Sequence, residues 1–164
     1  MKQEEPMDLW VYEREAFDAG IKLVCGVDEA GAGPLMGPVY AAAVILPEDY
    51  DLPELNDSKK LTEKKREMLF PLIKERAIAW SVAWVEASEI DATDILSARM
   101  KAMQMAIDGL SVTSDMALID GNRDKGHSAA ISTAHRCIVG GDGKSASIAA
   151  ASVLAKVSRD HYVT

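Results

Sequence analysis

The chain has 164 residues, 48% of them hydrophobic and 27% charged, which is enough to bury the core of one domain. Its formal net charge of −8 argues against nucleic-acid binding through a simple basic surface that neutralises phosphates. No apolar run reaches the roughly eighteen residues that a membrane span needs, and the N-terminus lacks the pattern of a secretory signal. We therefore expect a single cytoplasmic domain over residues 1–164 with no membrane partner.

Apolar patterns along the chain predict both helices and strands. Apolar residues at helical spacing, with Thr62 and Ser145 as candidate N-caps, predict helices. Short apolar or alternating runs bounded by glycine, proline and polar residues predict strands. The helices are predicted over residues 9–19, 62–76, 95–110 and 144–160, and the strands over residues 23–28, 39–46, 77–85, 116–120 and 138–139. This order favours a mixed α/β layout over a uniform βαβ repeat.

Carboxylates stand at or just after the ends of three predicted strands. Asp28 ends the first strand and Glu29 follows it, Asp120 ends the fourth, and Asp142 comes shortly after the fifth. Ligands gather at strand ends in sheets that are covered by helices, so acids from separate strands can meet in one cluster. Clustered carboxylates repel one another, and their oxygens are the ligands that Mg²⁺ or Mn²⁺ prefers. The pattern therefore predicts a site for a divalent cation.

The predicted cluster depends on how the first strand ends. Adjacent strand residues point to opposite faces, so Asp28 and Glu29 share one site only if the strand breaks or twists at Glu29. Gly31 and Gly33 would permit such a break. A single aspartate at a strand end is more often a solvated turn residue than a ligand, so the pattern alone leaves both interpretations of Asp120 open.

Other kinds of catalytic centre find less support in the sequence. Cys25 and Cys137 each lie in an apolar run, and we expect both to be buried core residues. His127, His135 and His161 show neither the close pairing nor the cysteine neighbours of zinc motifs. No serine lies in a nucleophile-elbow pattern. A magnesium-dependent phosphatase on another α/β fold remains an alternative that only the acids support.

Several blocks of the sequence closely resemble the motifs of bacterial ribonuclease HII, a type 2 ribonuclease H family. They occur in the family's order and extend over nearly the whole chain after the first predicted helix. The blocks are GVDEAGAGPL at residues 26–35, GPV at 37–39, DSKKL at 57–61, LIDGN at 118–122, GDGKS at 141–145, SIAAAS at 147–152 and AKVSRD at 155–160.

The resemblance implies a fold, a reaction and a set of metal ligands. The implied fold is of the ribonuclease H type, a mixed five-stranded sheet flanked by helices. The implied reaction is hydrolysis of the RNA strand of RNA–DNA hybrids, cut on the 5′ side of a single ribonucleotide embedded in duplex DNA, by a monomeric enzyme. The family's metal-binding acids correspond to Asp28, Glu29, Asp120 and Asp142. With Mg²⁺ or Mn²⁺, two ions can generate hydroxide from water and stabilise the leaving 3′-oxygen.

The resemblance also implies residues that contact the substrate. Lys60 and Lys144 are candidates for phosphate contacts, and Lys144 and Ser145 lie at the N-terminus of a predicted helix, where backbone N–H groups favour anions. In the family, a Gly-Arg-Gly element reads the ribose 2′-hydroxyl largely through its backbone. The corresponding element here is Gly31, Ala32 and Gly33.

The sequence departs from the family pattern at two places. Ala32 replaces the arginine of that element, which removes a forked phosphate or junction contact. We also expect the chain to lack the family's further C-terminal helical segment. A catalytically weakened or inactive nucleic-acid-binding variant of the same fold is therefore the alternative to an active nuclease.

Overall fold

A mixed five-stranded sheet forms the centre of the protein. The computed structural model describes residues 9–31, 38–48, 62–86, 95–120 and 132–163, without the side chains of residues 95–97, 142, 162 and 163. The strands are β1 Val24–Ala30, β2 Val39–Ile45, β3 Ala79–Val85, β4 Met116–Asp120 and β5 His135–Ile138, and the helices are α1 Val11–Asp18, α2 Glu63–Arg76, α3 Ile95–Asp108 and α4 Ala146–Val163. A 3₁₀ turn, Gly141–Gly143, precedes α4.

The sheet has the order β3–β2–β1–β4–β5, so β1 is its central strand. β1 pairs with β2 in the antiparallel direction and with β4 in the parallel direction. The register places Asp28 opposite Ala42 on one side, and Val27 opposite Ile119 on the other. Because β1 and β4 run in the same direction, their carboxyl ends lie at the same edge of the sheet. We call this edge, with Asp28, Glu29 and Asp120, the acidic edge.

Helices cover both faces of the sheet. α3 packs on one face through Ala102, Met103 and Ala106, which join the buried side chains Cys25 and Val27 of β1. On the other face, α2 and α4 form a second core with β1 and β2, and α1 packs beside them. The residues of α4 in these cores are mostly small: Ala146, Ile148, Ala149, Ala150, Ala151, Val153, Leu154, Ala155 and Val157. These small side chains let α4 lie close to the sheet.

Gly26 shows how close this approach is. A Cβ atom at Gly26 would overlap the backbone of Ser147 and Ile148 in the first turn of α4. Any side chain at this position would therefore push α4 away from β1. The glycine keeps α4 in direct contact with the strand that carries the acidic pair.

The expected mixed sheet with flanking helices is confirmed, and so are both predicted caps. The Thr62 hydroxyl accepts a hydrogen bond from Lys65 N at 3.1 Å, and the Ser145 hydroxyl accepts one from Ile148 N at 3.2 Å. The fifth strand was predicted too late in the chain, since it ends where a strand over residues 138–139 was expected to begin. Cys137 is half-buried instead of buried. Within the described ranges, no helix is long and apolar enough to cross a membrane.

Candidate active site

Asp28 and Asp120 are neighbours at the acidic edge. Asp120 is the last residue of β4, and it lies one residue beyond Ile119, which is paired with Val27 of β1. Asp28 is likewise one residue beyond Val27, so the two aspartates occupy matching positions on parallel strands. Paired positions on neighbouring strands direct their side chains to the same face. Asp28 is 7% exposed, so this pair of acids is partly withdrawn from water.

Glu29 lies beside this pair but on the other face of β1. β1 does not break at Glu29, because it remains paired with β2 as far as Ala30, opposite Tyr40. The strand therefore keeps its alternation: Asp28 meets the Ser152 hydroxyl of α4, whereas Glu29 faces Arg99 of α3. The nearest nitrogen of Arg99 is 3.7 Å from Glu29 Oε2.

The surroundings of the Asp28 carboxyl group disfavour its charged form. Its pKa lies well above the ordinary value, first because burial disfavours its charged form and then because the charge of Asp120 repels it. Glu29 adds a smaller repulsion. Two hydrogen bonds act in the opposite direction, one from Glu29 N at 2.8 Å and one from Ser152. A neighbouring cation would favour the ionised form of this carboxyl group.

The pKa of Glu29 is raised by some of its surroundings and lowered by others. Burial raises the pKa of Glu29, and the charge of Asp120 raises it further, whereas Arg99 lowers it. Asp120 thus acts on both members of the acidic pair, although they lie on opposite faces of β1. The three carboxylates form one electrostatic group despite the alternation of the strand.

The 3₁₀ turn that contains Asp142 contacts the acidic edge. Gly141 N donates a hydrogen bond to Asp120 Oδ1 at 3.1 Å, and Gly140 allows the turn because its φ is +65°. Asp142 was predicted close to a strand end. It lies inside this turn, shortly after β5, and its side chain is outside the described residues.

The predicted substrate-binding residues are only partly described. Gly31 follows β1 directly, and its carbonyl oxygen accepts a hydrogen bond from Arg159 Nη1 at 3.4 Å. Lys144 is exposed at the end of the 3₁₀ turn. Ser145, which was also predicted to contact the substrate, is fully buried. Ala32, Gly33 and Lys60 lie outside the described residues.

A buried carboxylate that the sequence reasoning missed occupies the N-terminus of α4. Glu13 of α1 is 1% exposed, and its Oε2 accepts hydrogen bonds from the Ser145 hydroxyl and from Ser147 N, both at 2.9 Å. This carboxylate occupies the helix N-terminus that the sequence predicted to favour anions. Glu13 falls within the apolar stripe of its helix, three residues before the buried Ala16, and a charged residue on such a face is the signal that could have identified it.

The donor chemistry of the acidic edge fits a divalent cation. Among the described side chains, which do not include that of Asp142, no group of three or more acidic, histidine or cysteine residues is placed to hold a metal ion. Asp28 and Asp120 nevertheless provide adjacent carboxylates whose mutual repulsion a cation would relieve, and carboxylate oxygens are the ligands that Mg²⁺ and Mn²⁺ prefer.

Comparisons with known proteins agree on one family. The family model described as ribonuclease HII matches residues 25–164. The ribonuclease HII of Geobacillus sp. (strain WCH70) is 51% identical over 152 residues, which are 93% of this chain and 53% of that protein. The ribonuclease HII of Endomicrobium trichonymphae is 52% identical over 153 residues, which are 93% of this chain and 71% of that protein. The chain thus spans about half the length of the first relative and more of the second.

A solved structure shows the same fold. The ribonuclease H2 from Pyrococcus horikoshii OT3 superposes with a TM-score of 0.74 at 26% sequence identity, over 87% of this chain and 74% of that one. The expected ribonuclease H type of fold is therefore confirmed together with the motifs that predicted it. This chain belongs to the ribonuclease HII family.

Proposed function

We propose that this chain is a metal-dependent endonuclease that hydrolyses the RNA strand of RNA–DNA hybrids and cuts on the 5′ side of ribonucleotides embedded in duplex DNA. The observation that carries this proposal is the juxtaposition of Asp28 and Asp120 at the carboxyl edge of the sheet, with Glu29 beside them. Acids brought together at the cost of raised pKa values are typical of functional sites. The membership of the chain in the ribonuclease HII family supports this substrate class.

Asp28 and Asp120 would be the innermost ligands of Mg²⁺ or Mn²⁺, with Glu29 and Asp142 completing the site. Bound divalent cations supply the acidity that activates water and stabilises the leaving 3′-oxygen, so that cleavage yields a 3′-hydroxyl and a 5′-phosphate. No covalent intermediate with the protein is needed for this reaction.

The protein's own groups hold these ligands in place. Glu29 N and the Ser152 hydroxyl donate to Asp28, and Gly141 N donates to Asp120. Each of these hydrogen bonds favours the ionised form of its acceptor and restricts the orientation of the carboxylate. The charge of Arg99 also favours the ionised form of Glu29. The site is therefore prepared before a cation arrives.

Substrate binding would combine the bound cations with the backbone of the chain after β1. We infer that Gly31, Ala32 and Gly33 contact the ribose at the cleavage site, and that Lys60 and Lys144 contact phosphates. The net charge of −8 makes the cations important for attracting a polyanion, because they reverse the local sign of the charge. We propose that the chain acts as a monomer in the cytoplasm.

The test is a cleavage assay on a duplex that contains one ribonucleotide. We expect one cut on the 5′ side of that ribonucleotide in the presence of Mg²⁺ or Mn²⁺, and no cut with a chelator or with an all-DNA duplex of the same sequence. Mapping the product ends identifies the bond. Absence of a cut above the chelator control, at any enzyme concentration that binds the duplex, would overturn the proposal.

The alternative is a weakened or inactive nucleic-acid-binding variant, and Ala32 is the observation that favours it. The variant Ala32→Arg separates the two functions because it adds only the guanidinium that the family's element carries. If the unmodified chain binds the duplex without cutting it and Ala32→Arg cuts it, the alternative is correct. If both cut with kcat values within about tenfold of each other, the arginine lowers the activation free energy by about 1.4 kcal/mol or less. The unmodified chain is then an active nuclease.

A further inference from the structure

Arg159 of α4 contacts the backbone at the point where the chain leaves the acidic edge. Its Nη1 donates to Gly31 O at 3.4 Å, and its Nε and Nη2 donate to Asp160 Oδ1 at 3.3 and 3.1 Å. Gly31 follows the last pair between β1 and β2, which joins Ala30 to Tyr40. The guanidinium therefore binds a carbonyl group that lies beyond the last paired residues of β1 and β2.

The guanidinium is itself fixed by a second ion pair. Asp160 Oδ2 lies 4.0 Å from Arg66 Nη2 on α2, and all three of these side chains are mostly buried, with exposed fractions between 19% and 29%. Gly31 is thus connected through Arg159 and Asp160 to a different helix. Such a connection limits the positions that the carbonyl group of Gly31 can take.

One face of α4 contacts both Asp28 and the segment that follows β1. Ser152, which donates to Asp28, precedes Arg159 by seven residues, which is close to two full helical turns, so both side chains leave the same face of the helix. They stand about 10 Å apart along the axis. α4 therefore holds an acid with Ser152 and the start of the glycine-containing segment with Arg159.

We propose that Arg159 is a positioning residue for the recognition of the ribonucleotide, acting through the carbonyl group of Gly31. This inference rests on the proposed function, in which the backbone of Gly31, Ala32 and Gly33 contacts the ribose. Since position 32 is alanine, that element contributes no guanidinium of its own, and Arg159 reaches it from α4. A planar guanidinium can contact the carbonyl group and Asp160 at once, whereas the single nitrogen of a lysine cannot do both in this geometry.

The test compares Arg159→Lys and Arg159→Ala with the unmodified chain in two measurements. The first is amide hydrogen exchange of Gly31 by NMR in the free protein, where we expect a rise of at least about fivefold in both variants, with no change at Leu118 or Ile119. The second is steady-state cleavage of the duplex with one ribonucleotide, where we expect KM to rise about five- to tenfold while kcat stays within about twofold.

Arg136→Lys is the matched control. Arg136 lies on β5, binds Glu15 at 2.7 Å and stacks on Tyr12, so this substitution also disturbs an arginine ion pair but leaves the acidic edge intact. It should change neither measurement. A fall in thermal stability of the Arg159 variants without a change at Gly31 or in KM would mean a merely structural role and would overturn the inference.

The exchange measurement also separates this inference from the proposed function. If the unmodified chain does not cut the duplex, the proposed function fails, and the exchange rate of Gly31 alone decides whether Arg159 positions this segment. Faster exchange in both variants then supports the positioning role. An unchanged rate overturns it whether or not the chain is active.

Discussion

Glu13 and Asp28 are both buried carboxylates with raised pKa values, and both lie against α4, but their neighbours are opposite in kind. Glu13 meets hydrogen-bond donors, the Ser145 hydroxyl and Ser147 N. Asp28 meets other acids, Asp120 and Glu29, as well as two donors. For Glu13 burial alone raises the pKa, whereas for Asp28 like charges add to the effect of burial.

Burial by itself therefore does not mark a functional acid. A carboxylate surrounded by donors at a helix N-terminus stabilises the fold, because it satisfies N–H groups that the helix leaves free. A carboxylate beside other carboxylates is repelled by them and does not help the fold, and such an arrangement is typical of functional sites. Substitutions of these residues should therefore separate stability from activity.

The largest effect is expected from Asp120→Asn. It keeps the shape and an acceptor for Gly141 N but removes one ligand charge, so we expect metal-dependent cleavage to fall by about three orders of magnitude or more. The free energy of unfolding should not decrease, because a charge that repels Asp28 and Glu29 is lost. Cleavage assays and urea unfolding test both parts.

Asp108→Asn is the matched control for this variant. Asp108 is an exposed acid at the end of α3 that accepts a hydrogen bond from Gln104, and its substitution should leave both measurements unchanged. Retained cleavage in Asp120→Asn would remove Asp120 from the proposed site.

The opposite pattern is expected from Glu13→Ala. This variant leaves the Ser145 hydroxyl and Ser147 N buried without their acceptor and opens a cavity, so the free energy of unfolding should fall by about 2–4 kcal/mol. The activity of the folded fraction should remain close to normal. Glu15→Ala is the control on the same helix: Glu15 is 56% exposed and pairs with Arg136, so it should cost less than about 1 kcal/mol. Equal losses in the two variants would contradict a structural role for Glu13.

The sequence predicted the acidic edge better than it predicted the surroundings of Glu13. Asp28 and Asp120 could be located because apolar runs end at or near them, and the family motifs name the same residues. The continuation of β1 through Glu29 could not be foreseen, because pairing with β2 outweighs the local tendency of the following glycines to end a strand. Glu13 was missed because its partners, Ser145 and Ser147, are more than 130 positions away in the sequence, and only the packing of α1 on α4 brings them together.

A smaller effect of pH should distinguish Glu13 from its isosteric variant Glu13→Gln. The pKa of Glu13 in the folded protein is raised above its ordinary value of 4.5. At a pH between 4.5 and this raised pKa, the unfolded chain has lost a proton that the folded chain retains. The stability of the unmodified protein therefore decreases as pH rises through this window. Glutamine keeps an acceptor oxygen and does not titrate. Unfolding at pH 4 and pH 7 should show the difference in stability, variant minus unmodified, becoming more positive with pH; a flat or falling difference would contradict the raised pKa.

The smallest effect is expected from Arg99→Gln, which tests whether the acids at the acidic edge are arranged for a cation. Arg99 lies 3.7 Å from Glu29 and its side chain is 41% exposed, so solvent weakens its influence. Removing its positive charge should let a divalent cation bind more easily, and we expect the Mn²⁺ concentration for half-maximal cleavage at pH 8 to fall about two- to threefold. Lys101→Gln removes the same charge from the exposed side of α3 and should change this concentration less. A higher Mn²⁺ requirement in Arg99→Gln would instead mean that Arg99 orients Glu29 for the metal, since the loss of orientation would then exceed the gain from reduced repulsion.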